Sequence, residues 1–270
     1  MTITKTLASS QSATFCIALP DPQQHMMPTP TGTGFFVSPD GWFVTAAHVI
    51  TENNESDGPV RQDIDQAWLQ KETRQPGGMP GVTYQFVSFG HVIPRLDFAL
   101  LKVDFQQNSN KAWLSGRNSF PFIGISSRQL MEGESVYSFG YPLSSAFAKD
   151  HGQIMVGYTS LCPRVTSAIV SSTINETHVA MTSGDPKVYV LDKALNYGNS
   201  GGPIVSSETG RVHAFCSRFQ PVFIPQKHIL DAKQNPIQIM IPSLYGVVSS
   251  FGNPEIISLL HKLQVPIYDE

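Results

Sequence analysis

Short apolar runs broken by turn residues recur along the whole chain. Thr33 to Val37 reads as a strand, Ser38-Pro39-Asp40-Gly41 as a turn, and Trp42 to Thr45 as the returning strand. The turn has a mechanism: proline presets φ, and Asp and Gly tolerate the remaining angles. The same pattern predicts strands at Phe98 to Val103, Ser135 to Phe139, Ile154 to Tyr158, Val188 to Leu191, Pro203 to Ser206 and Val212 to Ser217. Residues 51–80 are acidic and amide-rich and end near a Pro-Gly-Gly, which predicts a long surface loop with a short helix around Asp63 to Lys71. The polar stretch from Gln106 to Ser119 reads as a link between two halves.

One helix is predicted, at the end of the chain. Asn253 is a cap residue, Pro254 suits the first helical position and Glu255 suits the positive end of the dipole. Ile256, Ile257, Leu259, Leu260 and Leu263 then form an apolar stripe at helical spacing, as a packed terminal helix requires.

Composition narrows the class. The 270 residues suffice for one or two domains, and 41% hydrophobic with 14% charged residues marks a globular chain. Twenty-one Gly and 20 Pro imply many turns and favour an all-β protein over a helical bundle. A net charge of −3 gives no general pull toward nucleic acid or anionic membrane. Cys16, Cys162 and Cys216 are too few and too scattered for a disulfide framework or a metal site, so a reducing, cytoplasmic setting is expected. The first twenty residues show no secretory leader, and no stretch of about 18 apolar residues predicts a membrane span.

Three local motifs carry chemistry: Thr45-Ala46-Ala47-His48-Val49 after a strand, Leu96-Asp97-Phe98-Ala99 opening one, and Gly198-Asn199-Ser200-Gly201-Gly202-Pro203 between two. A serine hydroxyl is a poor nucleophile unless an imidazole takes its proton. The imidazole in turn needs an acceptor on its other nitrogen to fix its tautomer. The carbonyl oxygen under attack needs fixed N–H donors. His48, Asp97 and Ser200 supply the first three roles, and the N–H groups of Gly198 and Ser200 the oxyanion hole. The Gly198–Gly202 segment also fits the G-x-S-x-G elbow of α/β-hydrolases. That fold would need Asp231 and His261 as partners, lacks its strand–helix alternation here, and leaves His48 and Asp97 unexplained. The remaining histidines form no ligand spacing, so neither a metal nor another cofactor is expected.

The segments GTGFFVSPDGWFVTAAHV, LDFALLKV and GNSGGPIV resemble the signature regions of chymotrypsin-like serine peptidases, most nearly the HtrA/Deg-type and other bacterial-style members. MEGESVYSFGYP and IMIPS are similar to that family's second-barrel opening and closing strands. The resemblance spans roughly residues 30 to 262. It implies an all-β fold of two six-stranded antiparallel β-barrels with a C-terminal α-helix. Residues 1–30 would form an N-terminal extension and first strand region, and 31–115 the first barrel with His48 and Asp97. Residues 116–250 would form the second barrel with Ser200, and 251–270 the helix and tail. It implies a specificity pocket of Ala194, Leu195 and Asn196 facing a wall of Ala214, Phe215, Cys216 and Ser217. Ala194 stands where trypsin-type enzymes carry an aspartate, so cleavage after small or medium apolar residues is expected, with Asp231 as the acid that could reverse this. Asn199 stands where secreted trypsins hold a freed N-terminus with an aspartate, so no activation cleavage is expected. No trailing PDZ domain is expected after the last helix, so regulation is expected from loops or from a separate protein. The expected activity is that of a serine endopeptidase acting on polypeptides, and the alternative is a catalytically silent scaffold on the same fold.

Overall fold

The structure, a computed structural model, describes residues 3–21, 27–73, 81–104, 118–150, 155–174, 187–195, 197–230 and 236–269. Asn196, Asp231 and the link at 106–117 lie outside the described residues. A helix α1 (Ile3–Ala13) leads into strands β1 (Thr14–Asp21), β2 (Met27–Phe36) and β3 (Trp42–Ala46), and then a helical turn α2 (Ala47–Ile50). Next come β4 (Trp68–Thr73), β5 (Gly81–Phe86), β6 (Ser88–Ile93) and β7 (Phe98–Lys102). These seven strands form one antiparallel sheet in the order β5-β4-β1-β2-β3-β7-β6.

The second half holds β8 (Ser135–Gly140), β9 (Ser145–Asp150), β10 (Met155–Ser160), β11 (Arg164–Ile174) and β12 (Val188–Leu191), then β13 (Pro203–Ser206), β14 (Val212–Leu230) and β15 (Pro236–Ser250). Six of them close a barrel in the order β11-β12-β15-β14-β13-β8, while β9 and β10 pair separately. The helix α3 (Pro254–Lys262) follows. The all-β class, one closed six-stranded barrel and the terminal helix therefore match expectation. Where a first barrel is expected, the described residues form the seven-stranded sheet.

Alternation along the strands builds the core. Successive side chains point to opposite faces. Phe36, Phe43 and Leu101 face one apolar cluster with Phe15 and Phe120, while Phe35, Val44 and Leu100 face another with Phe215, Phe251, Ile256 and Leu260. The central strands of the sheet are thus buried on both sides. The second cluster joins sheet, barrel and α3, so the halves share a core across the line where the functional cleft opens.

Three segments differ from expectation, each for a tertiary reason. The predicted surface loop at 51–80 contains a 3₁₀ turn at Ile64–Gln66 and then the strand β4, not a helix over Asp63 to Lys71. Pairing of Cys16 with Gln70 and Ile17 with Leu69 supplies the backbone partners that polar local sequence does not advertise. The helix α1 lacks an apolar stripe, yet Lys71 donates to the carbonyls of Gln11 and Ser12 at its C-terminal end, where a cation is favourable. The stretch from Gln220 to Gln238 reads from sequence as an unplaced loop, and its described residues, 220–230 and 236–238, are the end of β14 and the start of β15. Among the described residues these strands, beyond the barrel, pair only with each other, with Pro221 opposite Pro242, and proline is tolerated on such open edges.

The predicted cap also works differently. Asn253 precedes α3, but its side chain does not cap the helix. Its Oδ1 accepts from the Lys187 N–H (2.7 Å), and its Nδ2 donates to the carbonyls of Lys187 (3.2 Å) and Ser250 (2.7 Å). It ties the helix entry to the barrel instead. Ile256 and Leu260 are fully buried, as the helical stripe predicts.

Candidate active site

Strand register brings His48 and Asp97 together. The last residue of β3, Ala46, pairs with the first of β7, Phe98, and the Ala47 N–H donates to the Asp97 carbonyl at 2.9 Å. The chain beyond β3 therefore lies beside the chain entering β7. Asp97 adopts a left-handed conformation (φ 52°), which Asp accepts more readily than most residues. The residue is 7% exposed, and its carboxylate has four donors. Oδ1 accepts from the His48 backbone N–H at 3.0 Å and the Ser56 hydroxyl at 2.8 Å. Oδ2 accepts from His48 Nδ1–H at 2.8 Å and the Ser217 hydroxyl at 2.7 Å.

Burial alone would push the Asp97 carboxyl up; the His48 hydrogen bond and charge, then Ser217 and the His48 N–H, outweigh it and hold the group below the usual carboxylate range. A carboxyl depressed by folding contributes stability above its unfolded value near pH ~4, and that contribution is lost as pH falls through the lower folded value. The urea midpoint should therefore fall more steeply on acidification below pH ~4 in the native chain than in Asp97→Asn. Parallel pH profiles for the two proteins would contradict this assignment.

The Ser200 loop is held from three sides. The Thr33 N–H donates to the Ser200 carbonyl (2.8 Å), and the Thr33 hydroxyl donates to the Gly198 carbonyl (2.5 Å) while accepting from the Tyr141 N–H (3.0 Å). From β14, the Cys216 carbonyl accepts from the Gly201 N–H (2.6 Å), and the Cys216 N–H donates to Gly202 (2.8 Å). Gly198 and Gly201 sit at φ +92° and +82°, where L side chains are strained. A Cβ on Gly198 would also meet the Tyr141 carbonyl at 2.6 Å. Among the described residues the N–H groups of Gly198 and Ser200 have no partner, so both are available to a ligand oxygen. Asn199 is buried and packs against Gly140 on β8.

His48, Asp97, Ser200 and Gly198 line one cleft of about 540 Å³. Among the described residues no hydrogen bond joins His48 to Ser200; in unliganded sites of this chemistry that bond is often long and tightens with substrate. Of the expected pocket residues, Leu195, Cys216 and Ser217 line the cleft. Ala194 is half-buried and is not part of the cleft lining, contrary to expectation. Ala214 and Phe215 are also corrected: both are fully buried in the core, with Phe215 against the Phe98 and Phe251 rings. Ala214 and Cys216 share one face of the strand and Phe215 faces the other cluster, so only the end of the segment, where the register shifts between Cys216 and Arg218, reaches the cleft. Cys216 is buried, and burial followed by the nearby Asp97 charge pushes its thiol well up, so it is a poor source of thiolate.

Sequence reading missed Thr33 as the clamp on the Ser200 loop, and Ser56 and Ser217 as donors to Asp97. Gly32 and Gly34 around Thr33 signalled close backbone approach; nothing in the polar 51–60 segment singled out Ser56.

Fold and site together define a β-sheet-and-barrel protein with serine, histidine and aspartate gathered at the junction of its halves. Residues 32–214 match the family described as Trypsin-like peptidase domain, and the chain belongs to that family. Among relatives, serine protease HTRA4 of Mus musculus is 29% identical over 67% of this chain and 28% of its own length. Serine protease HTRA1A of Danio rerio shows the same 29%, 67% and 28%. The uncharacterized protein y4bJ of Sinorhizobium fredii is 28% identical over 87% of this chain and 30% of its own length. The chain thus spans less than a third of the length of these relatives. Among solved structures, the HtrA-type protease AlgW with decapeptide aligns with a TM-score of 0.56 at 14% identity, covering 98% of this chain and 68% of that one. This likeness shows the fold.

Proposed function

We propose that the chain is a serine endopeptidase acting through an acyl-enzyme on Ser200. The observation that carries this reading is the four-donor Asp97 holding His48 Nδ1–H at 2.8 Å in the same cleft as Ser200. With Nδ1 protonated, the imidazole keeps its Nε2 lone pair for a substrate-side proton. Ser200 Oγ attacks the peptide carbonyl carbon, and its proton passes to His48 Nε2. The carbonyl oxygen becomes an alkoxide facing the N–H groups of Gly198 and Ser200. Collapse breaks the C–N bond, and the amine leaves with the proton from His48. Water then attacks the ester, gives its proton to His48, and releases the acid as Ser200 recovers its hydrogen. Asp97 stays ionised throughout and supports the imidazolium.

A fluorophosphonate probe tests this reading. It should label the native chain at Ser200 and leave Ser200→Ala unlabelled. Failure to label the folded native protein would favour the silent-scaffold alternative.

The cleft lining supports apolar specificity. Leu195 and Cys216 contribute apolar surface, and Asp97 is the one acid among the described lining residues. Its acceptor sites are already taken, so a substrate cation entering there would lose hydration without gaining a partner. Peptide-library profiling should show cleavage after small or medium apolar residues, with Lys or Arg at that position disfavoured by about tenfold or more in kcat/KM. A dominant Lys or Arg preference would reverse the assignment and point to Asp231.

A further inference from the structure

We propose that Ser56 is a positioning residue for the His48–Asp97 pair, filling an acceptor site of Asp97 from the 51–60 loop. The inference rests on the reading of His48 and Asp97 as the proton-handling pair.

An ionised carboxylate has about four acceptor sites, and a buried one is costly to leave short of donors. In Asp97 the His48 backbone N–H, the His48 ring, and Ser217 take three. The Ser56 hydroxyl takes the fourth, at 2.8 Å on Oδ1. Without Ser56, Oδ1 would keep a single donor, the backbone N–H of His48.

The loop is built to deliver this hydroxyl. Its ends are joined by a bridge between Thr51 and Val60 and by the Glu52 N–H to the Pro59 carbonyl at 2.9 Å. Inside it, the Thr51 hydroxyl donates to the Glu55 carbonyl at 2.5 Å, and the Gly58 N–H donates to the same carbonyl at 3.0 Å. Asn53 and Asn54 take left-handed conformations (φ 60° and 56°) to reverse the chain. Residues 52–55 are exposed, whereas Ser56 turns inward and lines the cleft with Asn54. Three local hydrogen bonds, one bridge and two unusual backbone angles therefore shape a segment whose inward side chain ends on the carboxylate.

The consequence for His48 has a definite sign. A donor on Oδ1 draws charge from the carboxylate and fixes its plane, and so the direction in which it receives Nδ1–H. Removing that donor leaves a more basic, less oriented carboxylate that holds the imidazolium more strongly. Among the described residues the ionisable groups recorded against Asp97 are His48 and Cys216, and the deeply buried Cys216 thiol stays neutral over the range concerned.

The test compares Ser56→Ala and Ser56→Thr, in the otherwise native chain for kinetics and in Ser200→Ala for NMR titration of the His48 imidazole. In Ser56→Ala the imidazole titration and the acid limb of kcat/KM should both move to higher pH by about half a unit. Its kcat should fall roughly five- to tenfold, with KM within about twofold. Ser56→Thr, which keeps the hydroxyl, should restore both. An unmoved titration and kcat in Ser56→Ala, or a Ser56→Thr as displaced as the alanine variant, would overturn the assignment. If the native chain cleaved no peptide while the titration still moved, the positioning role would stand and the peptidase reading would fall.

Discussion

Ser200→Ala should lower kcat by about 10⁴-fold or more while the protein stays folded. The Ser200 hydroxyl makes no hydrogen bond among the described residues, and the loop is held through its backbone by Thr33 and Cys216. Losing the hydroxyl therefore removes the nucleophile and little else. The bond to the substrate carbon exists only from the transition state onward, so KM should change far less than kcat. Steady-state kinetics on a cleavable peptide, together with a melting curve, measures both. Near-native turnover in this variant would remove Ser200 from the chemistry.

Asp97→Asn should be almost as severe, at about 10⁴-fold in kcat, by a different route. The position needs a left-handed backbone at φ 52°, which asparagine accepts, so the fold should persist at neutral pH. Four donors converge on the carboxylate, and an amide offers two fewer acceptor sites while adding two N–H groups. The serine hydroxyls of Ser56 and Ser217 can rotate to accept from the amide. The His48 ring can adapt only by moving its proton to Nε2, which removes the lone pair that must receive the Ser200 proton. Turnover with the melting temperature checks this, and a retained kcat would show that tautomer control does not reside in Asp97.

Much of the site was legible because its determinants are local. The GNSGGP run encodes its own backbone: glycine is required at φ +92° and +82°, and the serine falls between. TAAHV follows a strand whose apolar alternation is plain, and LDFALLKV opens another. The C-terminal helix was legible for the same reason, since its periodic stripe and Asn-Pro-Glu start are written within the eleven residues from Asn253 to Leu263. Asn253 shows the limit of that reasoning. A good cap residue stands at the cap position, yet a nearby strand end competes for its amide and wins.

Specificity was less legible. Ala214 and Phe215 follow a family pattern for a wall, but whether a strand residue faces cleft or core depends on register and twist. Here Phe215 completes an aromatic cluster with Phe98 and Phe251. Ser56 could not be found from sequence at all, because one serine in a polar loop has no distinguishing neighbour until the loop closes.

The sequence alone determined the all-β class, the strands that carry the chemistry, the terminal helix and the identity of the three candidate residues. Each depends on periodicity, turn chemistry or backbone conformation within a few residues. Only the tertiary structure decided that seven strands of the first half join one sheet and that polar segments such as β4 and α1 take part in the fold. It also decided which residues of the 214–217 segment meet the cleft, and that Ser56 and Ser217 complete the shell around Asp97. Those outcomes depend on partners more than a hundred residues away in the case of Ser217 and Asp97, and a hydrogen bond across that distance leaves no local trace in the chain.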